Sequence, residues 1–127
     1  MTSSGQLIHA LHLFSPSLPI GAFAFSQGLE AAIESGHVRD PESLARWCDG
    51  LMRFSLTTLD CHHAIRAYRA GSASTFRDVN AELLASRETR ELLQEDMLLG
   101  AAFKKWAVDQ AIDVPDANEY SLICLYG

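Results

Sequence analysis

Lysine is almost missing from this sequence. Lys104 and Lys105 are the only two among ten basic residues, sixteen acidic residues oppose them, and the formal net charge is −6. Proteins that grip nucleic-acid phosphates or anionic lipid gather positive charge on one face. The arginines here are scattered, so neither nucleic acid nor a membrane is an expected partner. No apolar stretch approaches the roughly 20 residues that span a bilayer. Cysteine is also scarce: Cys48, Cys61 and Cys124 are odd in number, far apart and free of any Cys-x-x-Cys pattern. They cannot all pair within one chain, which suits a reducing compartment. The first residues, Met1 to Gln6, carry no Lys or Arg, and the apolar run after them is broken by His9 and His12. That is not the pattern of a secretory signal, and the expected location is the cytoplasm. Neither Gly-x-x-x-x-Gly-Lys-[Ser/Thr] nor Gly-x-Gly-x-x-Gly occurs, so a nucleotide that matters here would be brought by a partner.

What the chain does have is apolar residues at helical spacing. At 127 residues and 48% hydrophobic content it suits a single domain over residues 1–127 with its own core. Leu7, Ile8, Leu11 and Phe14 predict a short first helix, ended by Ser15-Pro16-Ser17-Leu18-Pro19. A second helix is expected from Gln27 to Ser35, with Ser26 as N-cap and Gly36 as the stop. Asp40-Pro41-Glu42 is a strong start signal for a long helix running to about Ala70, with Leu44, Trp47, Cys48, Leu51, Leu59 and Tyr68 on its buried stripe. Gly50 is a weak point within it. Further helices are expected from about Thr75 to Leu84, from Ser86 through Trp106, and from Pro115-Asp116 onward. With no strand run or repeat, the predicted fold is all-α, a helical bundle packed around the long central helix. The ending is unusual, because Tyr120, Leu122, Ile123, Leu125 and Tyr126 crowd seven positions before Gly127. Termini are ordinarily polar and frayed, so this segment is expected either to be packed or to mark a truncation.

Two constellations invite a chemical reading. Asp60-Cys61-His62-His63 contains metal-ligating types, but only Asp60 and His63 share a helix face, and His9 with His12 is another two-ligand fragment. The expectation is no metal site, with only a metal shared between subunits left open. Ala24-Phe25-Ser26-Gln27-Gly28 is a loosened nucleophile elbow. An elbow needs a central sheet, an acid and a histidine, and the pattern of this chain supplies no sheet. A small serine hydrolase using Ser26 is therefore the remote reading, and no catalytic residue is assigned. Phe23 and Phe25, in the Pro- and Gly-rich loop around Pro19 and Gly21, either plug the core or form a docking surface.

The stretch Ser15-Pro-Ser-Leu-Pro-Ile-Gly-Ala-Phe-Ala-Phe-Ser-Gln-Gly-Leu-Glu30 resembles the N-terminal signature of the urease accessory protein UreF family. Gly36-His-Val-Arg-Asp40, Leu59 through Arg69, and Asn80 through Thr89 agree with it in order. The resemblance implies an all-helical protein that is not an enzyme, forms homodimers, and bridges UreD (also called UreH) to the GTPase UreG as nickel is delivered to apo-urease. It implies nickel and GTP on the partners, with none bound directly by this chain, and an influence on GTP hydrolysis by UreG. By position, Pro19, Gly21, Phe23, Phe25, Ser26, Gln27, Gly28 and Glu30 fall in the first motif, and Ser86, Arg87 and Glu88 in a second. Gln27, Glu30, Arg87 and Glu88 are the polar members expected either at an interface or in the framework behind it. Family members are as a rule longer, so the C-terminal helices of the family are expected to be absent here. The competing reading is an unrelated helical interaction domain sharing the signature.

Overall fold

The computed structural model describes residues 4–22 and 25–127, with only the backbone described for Gln6, His9 and Ala10. The described residues fold as helices without strands. Helix α1 spans Ser4–Leu13, α2 Leu29–Glu34 and α3 Pro41–Leu51. Helix α3 runs on through a π-helical stretch, Met52–Asp60, into α4, Cys61–Tyr68. Then come α5 (Ala73–Ala85), α6 (Arg90–Asp109) and α7 (Leu122–Tyr126). Among the described residues, no helix is long and apolar enough to cross a membrane.

The caps explain where the elements start, and two differ from expectation. Asp40 accepts from the Ser43 backbone N–H at 2.7 Å, while the Ser43 hydroxyl receives the Asp40 N–H at 3.0 Å, a reciprocal cap with Pro41 just inside. Helix α2 does not begin at Gln27 with Ser26 as cap. Gln27 and Gly28 both have positive φ, 51° and 86°, so helical dihedrals start only at Leu29 and Gly28 holds the cap position. The helix ends as expected at Gly36, whose φ of 74° lets the His37 N–H reach the Ala32 carbonyl at 2.8 Å. The sixth helix starts at Arg90 rather than Ser86. Thr89 accepts the Leu92 N–H, whereas Ser86 closes α5 by donating its hydroxyl to the Glu82 carbonyl at 2.7 Å. The final helix starts at Leu122 and not at Pro115. The backbone of 117–122 is instead committed to a local bond with the Tyr120 hydroxyl and to tertiary bonds with Asn80 and Asp96.

The long helix from Pro41 to Tyr68 has a widened middle. Thr57 donates its hydroxyl to the Met52 and Arg53 carbonyls and Thr58 to Phe54, back-bonds that hold the ladder in the wider register. Only its second half is central, since α5 and α7 both pack on α4 and α7 also packs on α6. The expected buried stripe is therefore incomplete: Leu44, Cys48 and Tyr68 are exposed, and Ser43, Asp60, His63 and Ala67 are buried instead. Two apolar groups form the core. Leu18 and Ile20 meet Leu99, Phe103, Ala107 and Leu122, while Ala67, Phe76, Val79 and Leu83 surround Cys124. Burial pushes the Cys124 thiol up to about 12, the neighbouring Asp96 charge adds to this, and the group is inert as a nucleophile. Tyr126 secures α1 by donating to the Leu13 carbonyl and stacking on Phe14.

Two close contacts set the spacing of the helices. The Tyr120 backbone lies directly on α6 at Gly100, where an added Cβ would stand 2.1 Å from the Tyr120 carbonyl oxygen. Gly100→Ala should force the two backbones apart and cost about 1–3 kcal/mol in chemical denaturation, as overpacking does. Arg66 grips Glu82 with two bonds of 2.7 Å, joining α4 to α5. The bonds from Arg66 hold the Glu82 carboxyl down from 4.5 to about 2, against a partly opposing desolvation. A lowered carboxyl stabilises the fold above its unfolded value, and this contribution fades as pH falls from 4.5 through about 2. A carboxyl NMR titration should place Glu82 near the lower value, and Arg66→Leu should return it towards the upper one.

Candidate functional site

An acid inside an apolar helix face requires a cation, and Asp96 is such an acid. It lies on the inward stripe of α6 with Leu99, Gly100 and Phe103, and is 6% exposed. Arg87, from the turn between α5 and α6, donates from Nε and Nη2 to Asp96 Oδ2 at 2.8 and 2.6 Å. The same guanidinium donates from Nη1 to Asp60 Oδ1 at 2.8 Å, reaching the end of the π-helical stretch. The other Asp96 oxygen accepts the Leu122 N–H at 2.8 Å and the Ser121 hydroxyl at 3.1 Å. Asn80 completes the knot by accepting the Ser121 N–H and donating to the Glu119 carbonyl, both at 2.8 Å. One arginine thus ties the π stretch to α6, and Asp96 passes the tie to α7.

The electrostatics are uneven around this centre. Burial alone would lower the Arg87 guanidinium, but the charges of Asp96 and Asp60 outweigh it and raise it further. Burial pushes the Asp60 carboxyl up, and Arg87 offsets this only in part. Asp96, with two guanidinium bonds and two from α7, is the principal counter-ion, and Asp60 is the weaker arm. A buried pair of this kind adds little net stability, yet losing one partner strands the other charges. Arg87→Met should therefore cost about 3–5 kcal/mol in denaturant unfolding, and Arg87→Lys a smaller but clear amount, because an ammonium cannot fork to both acids.

The first motif is organised differently. Leu18 and Ile20 are its buried anchors, and Phe25 packs partly against the same core, so this ring serves the interior. Phe23 lies outside the described residues. Pro19, Gln27, Gly28 and Glu30 are exposed, Gly21 has a φ of 76°, and Ser26 is half-buried. Among the described residues, Ser26 Oγ takes a long contact of 3.5 Å from the Glu30 N–H, and no strand stands behind it. In the second motif, Ser86 and Glu88 are exposed and Arg87 is turned inward. The motifs meet α6 at different heights, the first along Leu99 to Ala107 and the second at Asp96. No hydrogen bond or ion pair joins them among the described residues.

The Asp60 to His63 quartet does not converge on a metal. Asp60 is held by Arg87. His63 is buried with Nδ1 against the Leu59 carbonyl at 2.9 Å, and its Nε2 stands 3.5 Å from a Glu82 oxygen that Arg66 already occupies. Among the described residues, no three His, Cys, Asp or Glu side chains are grouped to hold an ion. The residues that the sequence reading missed are Asp96, Asn80 and Ser121. Asp96 and Asn80 carried a visible signal, a polar residue at a core position of an amphipathic helix.

Among the described residues the molecule is thus all-helical, and its buried Asp60, Asn80, Asp96 and Ser121 are engaged in holding elements together. A family model described as UreF matches residues 38–123. The urease accessory protein UreF of Teredinibacter turnerae is 44% identical over 108 residues, covering 83% of this chain and 49% of its own length. That of Hahella chejuensis is 39% identical over 117 residues, covering 90% and 52%. That of Cupriavidus necator is 42% identical over 135 aligned positions, covering 98% and 57%. The chain belongs to the UreF family of urease accessory proteins, a family named for assisting an enzyme and not for a reaction of its own. This displaces the reading as an unrelated helical domain. The chain spans about half the length of the curated relatives it matches.

Proposed function

We propose that this chain acts as a scaffold or co-chaperone in urease maturation, bridging UreD (UreH) and the GTPase UreG while nickel is delivered to apo-urease in the cytoplasm. Membership of the UreF family carries this reading. The geometry supports it in a specific way. The charged groups capable of chemistry, Asp60, Arg87 and Asp96, are engaged with one another, while the first motif turns Pro19, Gln27 and Glu30 outward from buried anchors. That arrangement presents a shaped surface. Nickel and GTP belong to the partners in this reading, and the chain works as a homodimer.

The test is capture of UreD and UreG by the tagged chain, with folding followed by circular dichroism. The wild-type chain should retain UreD, and UreG in its presence. Glu30→Lys together with Gln27→Asn should lower retention about tenfold with helix content unchanged, since both residues are exposed and Asn tolerates the positive φ. A folded chain that retains neither protein overturns the proposal.

A further inference from the structure

His63 is a buried ring that faces two acceptors. It lies on α4 and is 4% exposed. Its Nδ1 stands 2.9 Å from the Leu59 carbonyl, and its Nε2 stands 3.5 Å from Glu82 Oε1 on α5. Both oxygens can only accept, since a carbonyl has no proton and Arg66 binds Glu82 as a carboxylate. A neutral imidazole has one N–H and cannot donate to two acceptors. The shorter contact takes that proton, because two lone pairs at 2.9 Å would repel, so the neutral ring is assigned as the Nδ1–H tautomer. Nε2 is then a bare acceptor turned towards another acceptor. It is buried and has no hydrogen-bond partner among the described residues. A polar atom in that position is destabilising until something donates to it or it gains a proton.

The groups around the ring favour the proton. From α5 comes Glu82, which the Arg66 bonds hold down to about 2, so it is ionised at any pH near neutral. On α4 itself, His62 meets the ring edge-on with 5.4 Å between centroids, and Arg66 gives both its bonds to Glu82. Asp60, at the end of the widened stretch, is held by Arg87 and lies close enough to feel a charge on His63. From α7, the Cys124 thiol is pushed up to about 12 and stays neutral. Among the ion-paired groups of this junction, the acids Asp60, Glu82 and Asp96 stand against the arginines Arg66 and Arg87. One further positive charge balances them. Burial works against a charged ring, whereas the carboxylate before Nε2 works for it.

We propose that His63 is a proton-operated latch between α4 and α5. With the ring neutral, it hangs from the Leu59 carbonyl by Nδ1, and Arg66 alone grips the Glu82 carboxylate. When a proton from solvent adds to Nε2, the new N–H points at Glu82 Oε1 and the 3.5 Å gap closes to a charge-assisted hydrogen bond. Glu82 is half-exposed, so the proton enters and leaves along its side chain. One line of bonds then runs from the widened stretch through His63 to α5. Stability that rests on a bound proton is present on the acid side and lost as the pH rises. The junction therefore tightens as pH falls, over a range in which Glu82 stays ionised.

Urea unfolding of the whole chain at about pH 8 and about pH 6 reads the latch. The wild-type midpoint should rise by about 0.5 M at the lower pH. His63→Gln should remove at least half of that rise, because a Gln amide keeps its N–H at either pH. His9, His12, His37 and His62 are present in both chains, so the difference belongs to His63. Glu82→Gln should flatten the response in the same way, since its amide can donate to the bare Nε2. A long-range proton–nitrogen NMR correlation needs no variant. At the higher pH it should show Nδ1 of His63 protonated and Nε2 bare, and at the lower pH both protonated. An Nε2–H tautomer at the higher pH, or a bare Nε2 at the lower, overturns the proposal. A wild-type midpoint that does not rise, or a His63→Gln chain that keeps the full rise, overturns it too. Capture of UreD and UreG enters neither readout, so this inference and the functional reading can fall separately.

Discussion

Arg87 has three carboxylate bonds and sits at the junction of elements that are distant in sequence. Its bonds to Asp60 and Asp96 are nearly dry, with the three side chains 11%, 11% and 6% exposed. Removing such charges from water consumes most of what their attraction returns. The knot therefore does little for net stability, but it enforces a particular arrangement. In this packing the guanidinium reaches both acids, and a packing that moved either acid out of its reach would leave a buried charge unpaired. The arrangement then propagates. Asp96 spends its second oxygen on Ser121 and Leu122, Asn80 fixes Glu119 and Ser121, and α7 is seated between α4 and α6 with Cys124 at the centre.

This dependence gives local features a common purpose. Gly100 lies one turn beyond Asp96 on the same helix face, and its missing side chain is what lets the 120–122 backbone approach closely enough to bond that carboxylate. The widened register of 52–60 ends at Asp60, the second acid that Arg87 needs. A uniform α-helix through that stretch would present Asp60 at a different angle, and residues one position apart differ by about 100°. The back-bonding threonines are thus upstream of the salt bridge, although they never touch it.

Much of the fold is legible in the sequence because it is written in local rules. The Asp40-Pro41 start and the Gly36 stop follow from caps alone, and apolar spacing or cap signals mark the helical regions, the last with its start placed at Pro115 instead of Leu122. What misleads is competition between equally local signals. Ser86 and Thr89 are both acceptable caps, and Thr89 prevails because Ser86 is already bonded to the Glu82 carbonyl. Pro115 and Asp116 favour a helix start, but Asn80, some 40 residues earlier, holds the Glu119 carbonyl and the Ser121 N–H in an irregular path. The exposure of Leu44 along α3 is likewise invisible in the sequence, since periodicity identifies an apolar face without saying what covers it. The candidate site divides in the same way. Arg87 stands out through family resemblance, Asp60 as a metal-ligating type and Asp96 as a polar residue on an apolar helix face, whereas their pairing is recognised only once the helices are in place.

The two faces of α6 show how one helix serves both demands. Its inner face spends its polar residue, Asp96, on internal contacts. Its outer face leaves Leu98 and Val108 in water. The knot inside sets that outer face as well: Arg87, Ser121 and Leu122 hold the helix at Asp96, so its rotation about its own axis is fixed there. A loosened Arg87 would free that rotation, and the residues turned outward would move with the acid turned inward.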